Sequence, residues 1–141
     1  MKKIMFLCTA NSCRSQMAEG FAREFGKGLI EIHSAGLMAA GVHRRAAAVM
    51  QELGIDITKQ ESKEIDVSLL KQMDLVITLC GNAEVYCPRT PPEIKRIHWP
   101  IEDPVSKIGT EEMIMRDFRR ARDEIRNKVE GLIKDIAESK V

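Results

Sequence analysis

The chain has 141 residues, 44% of them hydrophobic and 30% charged, with a formal net charge of +1. Such a length suits one domain spanning 1–141 with a proper core, and the composition is that of an ordinary globular protein. No apolar run nears membrane-spanning length, no targeting segment stands out, and the dispersed Lys and Arg give no footprint for nucleic acid or an anionic membrane.

In chain order, Ile4-Met5-Phe6-Leu7 predicts a buried strand over about 3–8, followed by a helix over about 14–25 that ends near Gly26. Met17, Phe21 and Phe25 recur there at helical spacing, with Ala18 and Ala22 beside them. Leu29 to Ser34 reads as the second strand. Ala46, Val49, Met50 and Leu53 mark one face of a second helix, closed by Gly54. Residues 65–73 suit a short helix, and Leu75 to Leu79 a nearly all-apolar third strand, as expected when both faces are covered. Ile94 to Trp99 predicts a fourth strand. The last helix is the plainest: Ile114, Phe118, Ala121, Ile125, Val129, Leu132 and Ile136 recur every three or four residues behind Thr110, Glu111 and Glu112. Arg119, Arg120 and Arg122 in that helix sit among Asp and Glu and read as a solvated face.

Strands alternating with helices imply an α/β, three-layer architecture, a four-stranded parallel sheet flanked by helices. Ligands of such sheets lie beyond the carboxyl ends of the strands. That rule puts the loops after Leu7, Leu79 and Trp99 on one rim. Pro88, Pro91, Pro92, Pro100 and Pro104 fall in the two later rim loops and are expected to stiffen them without regular structure.

The chemistry concentrates in Cys8-Thr9-Ala10-Asn11-Ser12-Cys13-Arg14-Ser15, on the first strand-to-helix turn. Backbone N–H groups of such a turn converge on a concavity, and the helix dipole favours negative charge there. Five residues between Cys8 and Arg14 let the loop curl round one tetrahedral anion, which the planar Arg14 fork can grip. The same positive field favours the thiolate of Cys8, and Ser15 can donate a hydrogen bond to it. Attack by that sulfur requires a proton donor for the departing oxygen. Asp103, after the fourth strand, is the best-placed carboxyl, although an Asp before a Pro is also a common turn former.

Cys80 ends the third strand, and Cys87 follows a polar stretch, Gly81 to Tyr86. Without an export signal these thiols belong to a reducing, cytosolic setting, and the C-x4-C and C-x6-C spacings suit zinc poorly, so no metal is expected. Hydrolysis needs only one nucleophilic sulfur, whereas one thiol in the pocket and two on an adjoining segment suit thiol–disulfide exchange. A packing role for Cys80 and an inert Cys87 is the plain alternative. The three histidines, His33, His43 and His98, show no partner that would make them a base or ligand.

On these residues the chain resembles thioredoxin-coupled arsenate reductases of the low-molecular-weight tyrosine phosphatase fold. The match covers nearly its whole length and includes Phe6 to Thr9, Asn11 to Gly20, Ser34-Ala35-Gly36, Thr78-Leu79-Cys80, Cys87-Pro88, His98-Trp99 and Asp103-Pro104. The resemblance implies that Cys8 attacks arsenate held by Arg14 and the amides of Thr9, Ala10, Asn11, Ser12 and Cys13, with Asp103 protonating the departing hydroxyl. It further implies a Cys8–Cys80 disulfide as arsenite leaves, resolved by Cys87 to Cys80–Cys87 and reduced by thioredoxin, the 80–87 segment being the mobile part. Phosphate or sulfate would mimic the substrate, no cofactor is implied, and a monomer is expected. Cys13 matches a position without a relay role.

Two departures matter. Some members of the group bind potassium through residues matching Asn11, Glu19 and Ser34 plus an acid; Lys63 stands at the acid's position, and its ammonium is expected to replace the ion. Val105 stands where phosphatases of this fold carry an aromatic wall for phosphotyrosine. Hydrolysis of phosphomonoesters remains the alternative activity, and a phosphate- or metal-binding module the alternative from outside enzymology.

Overall fold

A computed structural model describes residues 1–140. Four strands, β1 (Lys2–Cys8), β2 (Ile30–Gly36), β3 (Leu75–Thr78) and β4 (Lys95–His98), form one wholly parallel sheet in the order β2-β1-β3-β4. Between and after them run α1 (Arg14–Phe25), α2 (Arg44–Gln51), α3 (Val67–Leu70), α4 (Gly81–Tyr86) and α5 (Glu111–Ala137). The chain winds outward from β1 to β2 and then crosses to β3 on the other side. The carboxyl ends of β1 and β3 therefore flank the point where the winding reverses, where such sheets open a crevice.

Burial follows the expected pattern. Ile4 to Leu7 of β1 and all four residues of β3 are buried, as central strands covered on both faces should be. The edge strand β4 reads Lys-Arg-Ile-His and keeps its charges in solvent. Met17, Ala18, Phe21 and Ala22 of α1 meet the stripe Phe118, Ala121, Ile125 and Val129 of α5, and α1, α2 and α5 pack on one another. Thr110 caps α5, its hydroxyl accepting the Met113 N–H at 3.2 Å.

Four local readings need correction. β2 runs two residues further than its apolar run, to Gly36, because it pairs with β1 through Cys8. α2 stops at Gln51, so Leu53 lies beyond the helical stripe and is partly exposed. The helix over 65–73 shrinks to Val67–Leu70, started by the Asp66 carboxylate on the Ser68 and Leu69 amides. Residues 81–86, read as a polar loop, form α4. Its ends are the two cysteines themselves: Cys80 is the N-cap, its sulfur accepting the Ala83 N–H at 3.3 Å, and Cys87 is the C-cap.

Candidate functional site

The loop from Cys8 to Arg14 is shaped from behind. The carbonyls of Thr9, Ala10 and Ser12 accept the N–H groups of Met38, Ala40 and His43 at 3.0, 3.0 and 2.9 Å. A trans peptide points its N–H opposite to its carbonyl, so the amides of Ala10, Asn11 and Cys13 turn the other way. Ala10 and Cys13 line a cavity of about 450 Å³ together with Cys8, Arg14, His43, Asn82, Asp103 and Val105 among others. The result is a concavity of N–H donors with a sulfur at its edge. Gly36 lies against the loop's outer side: a Cβ there would sit 2.6 Å from the Asn11 nitrogen and 2.9 Å from the Thr9 oxygen.

Asn11 takes a left-handed φ of 45°, which Asn tolerates, and so brings its side chain inward. Its Oδ1 accepts from Gln16 Nε2 at 3.0 Å and from the Lys63 N–H at 2.8 Å, which fixes the amide's orientation. Its Nδ2 then donates to Ser15 Oγ at 2.8 Å and Ser34 Oγ at 3.0 Å. The Ser15 hydroxyl lies 2.8 Å from Cys8 Sγ, and toward a thiolate there, which can only accept, it is the donor. Ser34 donates to Glu19 Oε1 at 2.5 Å, and Arg23 Nε donates to Glu19 Oε2 at 2.9 Å. Donation thus runs outward from Asn11, through Ser15 toward the sulfur and through Ser34 to Glu19, which also accepts from Arg23.

The opposite wall comes from β3 and the loop after β4. Arg14 Nη1 donates to the carbonyls of Ile101 at 2.8 Å and Leu79 at 3.3 Å, which aims the rest of its fork at the cavity. Asp103 makes the turn and also borders the cavity. Oδ1 accepts the Val105 N–H at 2.9 Å in a turn, while Oδ2 stands 3.7 Å from Arg14 Nη2 at the cavity wall. Cys80 Sγ lies 3.2 Å from the Thr9 hydroxyl, so the second thiol borders the cradle. Cys87, at the far end of α4, is buried with its sulfur against the Pro88 carbonyl at 3.5 Å, and burial pushes its thiol above the ordinary value of 9.0. The Cys13 thiol is pushed up further, first by burial and then by the neighbouring Cys8.

The expected role of Lys63 does not hold. Its ammonium is exposed and donates to the Glu61 carbonyl at 3.2 Å; only its backbone N–H reaches the Asn11 group. The charge facing Glu19 is Arg23. With both carboxylate oxygens already taken by Arg23 and Ser34, these residues do not fit a potassium ion. Ser62 and Arg23 belong to no motif that marks them, and Gln16, inside the matched Asn11 to Gly20 run, carries no role there; the one readable signal is the four-residue spacing of Glu19 and Arg23 on a helix. His43 caps α2, its Nδ1 accepting the Arg45 N–H at 3.1 Å, and the imidazole is held below its ordinary range by burial and then by Arg45 and Arg44.

A nucleophile in a backbone cradle, opposite an Arg and an Asp, on a 2-1-3-4 parallel sheet defines an oxyanion-handling α/β enzyme of the phosphatase type. Residues 3–141 match the family model for low molecular weight phosphotyrosine protein phosphatase, and the chain belongs to that family. Within it, the relatives include the arsenate reductase of Bacillus subtilis, 49% identical over 138 residues that cover 98% of this chain and 96% of that one. The arsenate reductase of Bacillus licheniformis is 50% identical over 128 residues, covering 91% and 92%. A solved structure of an arsenate reductase in the phosphate-binding state superposes with a TM-score of 0.79 at 41% identity, covering 96% of this chain and 99% of that one.

Proposed function

We propose that this protein reduces arsenate to arsenite by a three-thiol relay, with thioredoxin as the returning reductant. The observation that carries the reading is the place of Cys80, its sulfur 3.2 Å from the hydroxyl of the residue after the nucleophile. The likeness to relatives named arsenate reductase supports it.

Arsenate sits on the amides of the 9–14 loop and on Arg14. The Cys8 thiolate, held by the Ser15 O–H, attacks arsenic, and the departing oxygen takes a proton from Asp103 and leaves as water. The Cys80 thiolate then attacks the Cys8 sulfur. The sulfur–arsenic electron pair goes to arsenic, As(V) becomes As(III), and arsenite leaves behind a Cys8–Cys80 disulfide. Cys87 next attacks Cys80, the pair in the broken bond returning to Cys8 as thiolate.

This last exchange sets a geometric condition. Cys80 and Cys87 cap opposite ends of α4, so their backbones stand roughly 10 Å apart at 1.5 Å per residue. A disulfide needs Cα atoms about 4.4–6.8 Å apart, so α4 must unwind for the second disulfide to close. Opening also brings the buried Cys87 to the surface, where a protein dithiol can reach the product.

The decisive experiment follows arsenate turnover with a purified thioredoxin system, beside Cys80→Ser and Cys87→Ser. We expect sustained turnover in the wild type. Cys87→Ser should yield about one arsenite per protein and stop with Cys8 joined to Cys80. If both variants turn over like the wild type, or hydrolyse aryl phosphates at the only rate the wild type shows, the protein is a hydrolase and its distal thiols are inert.

A further inference from the structure

We propose that Glu84 and His98 are positioning residues that latch α4 shut and so limit the rate at which Cys87 reaches Cys80. The inference rests on the relay above and concerns groups that none of its chemical steps uses.

Thr78, the last residue of β3, is fully buried, and its hydroxyl is the hub. Glu84 Oε2, from the middle of α4, lies 2.6 Å from Thr78 Oγ1, and His98 Nδ1, from the end of β4, lies 2.9 Å from the same atom. A hydroxyl has one proton. The carboxylate can only accept, so Thr78 donates to Glu84 and must accept from His98, which places the ring proton on Nδ1. Two side chains from exposed positions thus tie the moving helix to the fixed sheet through one buried oxygen.

A six-residue helix has little stability of its own, and its remaining anchors are few. Ala83 is its only buried side chain, and Val85 and Tyr86 stand in solvent. The backbone bonds of Glu84 N–H to the Cys80 carbonyl and Cys87 N–H to the Ala83 carbonyl, at 3.1 and 3.0 Å, must break for the cysteines to approach. Opening α4 carries Glu84 away from Thr78 as well. The charge-assisted bond at 2.6 Å is therefore part of the barrier to the second exchange, in which the Cys80–Cys87 bond forms, the Cys8–Cys80 bond breaks and the electron pair returns to Cys8. Cys80 borders the cradle with α4 closed, its sulfur beside the Thr9 hydroxyl and on the Ala83 N–H, so its attack on Cys8 does not await the opening of the latch.

The test is Glu84→Ala in the full chain. Alanine is the better helix former, so any loosening of α4 reports the lost latch and not lost propensity. In a single turnover with arsenate, quenched by acid and read by disulfide mapping, Cys80–Cys87 should form about tenfold faster, a factor typical of one hydrogen bond to a charged group, with arsenite release unchanged. Glu84→Gln, which keeps an acceptor, should fall between. Hydrogen exchange at the Glu84 and Cys87 amides of the reduced, arsenate-free protein should speed up by a similar factor, and His98→Ala should move both readouts the same way. If Glu84→Ala leaves that amide exchange unchanged, or opens α4 without hastening the second disulfide, the latch is refuted. If instead no Cys80–Cys87 disulfide forms in the wild type while the amides behave as expected, the relay fails and the helix anchor stands.

Discussion

Replacing Ser15 with alanine isolates the single bond made to the attacking sulfur. The Ser15 side chain is fully buried, its oxygen accepts from Asn11, and toward a thiolate at Cys8, which can only accept, its hydroxyl is the donor. A hydrogen bond to an ionised group contributes about 1.5–3 kcal/mol. Solvent in the adjoining cavity can replace part of it, which favours the lower half of that range. At 1.36 kcal/mol per decade the ionisation equilibrium of Cys8 should shift against the thiolate by roughly 13–45-fold. Thiolate absorbance followed against pH, in a background where Cys80 and Cys87 are serine, measures this directly. Alkylation of Cys8 at neutral pH should slow by less, because a less stabilised thiolate is intrinsically more nucleophilic. If Ser15→Ala titrates as the parent does while keeping the same melting temperature, the Ser15 proton does not point at the sulfur, and the donor chain from Asn11 has been misread.

Three further outcomes follow from the same geometry. Gly36→Ala forces a Cβ against backbone atoms of the loop and of Met38, so it should cost about 3 kcal/mol of stability and abolish the stabilisation by phosphate in a thermal melt. Arg23 supplies the charge facing Glu19, so turnover should be equal in potassium and sodium salts, and Arg23→Gln should lower stability by only about 1–2 kcal/mol, since the guanidinium is more than half exposed. Burial holds the Cys13 and Cys87 thiols above their ordinary 9.0, so the unfolded chain loses those protons first. Stability should be unaffected by these thiols below pH 9 and fall as pH rises above it, by up to about 1.4 kcal/mol per pH unit for a fully buried thiol; Cys13→Ser should flatten that fall in urea titrations.

The parallel sheet and the cradle are legible in the sequence because each rests on a dense local pattern. β1 and β3 are continuous apolar runs, and the loop residues between Cys8 and Ser15 are contiguous. What escapes the sequence depends on direction. Lys63 stands where an ion-replacing cation is expected, but backbone hydrogen bonds with Gly36 and Asn11 turn its side chain out to solvent, and Arg23, one helical turn past Glu19, takes the role. α4 escapes for another reason. Its six residues begin with Gly81 and stop before Pro88, carry no apolar stripe, and owe their start to a cysteine sulfur, a weak acceptor that cap preferences do not single out. Asp103 reads two ways in the sequence because its two oxygens face different surroundings, one the Val105 N–H of a turn and the other Arg14 at the cavity wall.

The clasp of the 38–43 segment on the carbonyls of Thr9, Ala10 and Ser12 bears on how this site tolerates change. In the proposed enzyme main-chain groups meet the anion, so side chains such as that of Ala10 are largely released from recognising it. A grip built this way is indifferent to whether the central atom is later to be hydrolysed or reduced. The choice of chemistry passes to neighbours that can be exchanged without disturbing the hold: the sulfur at the end of β3, the short helix behind it, and the small aliphatic Val105 at the mouth.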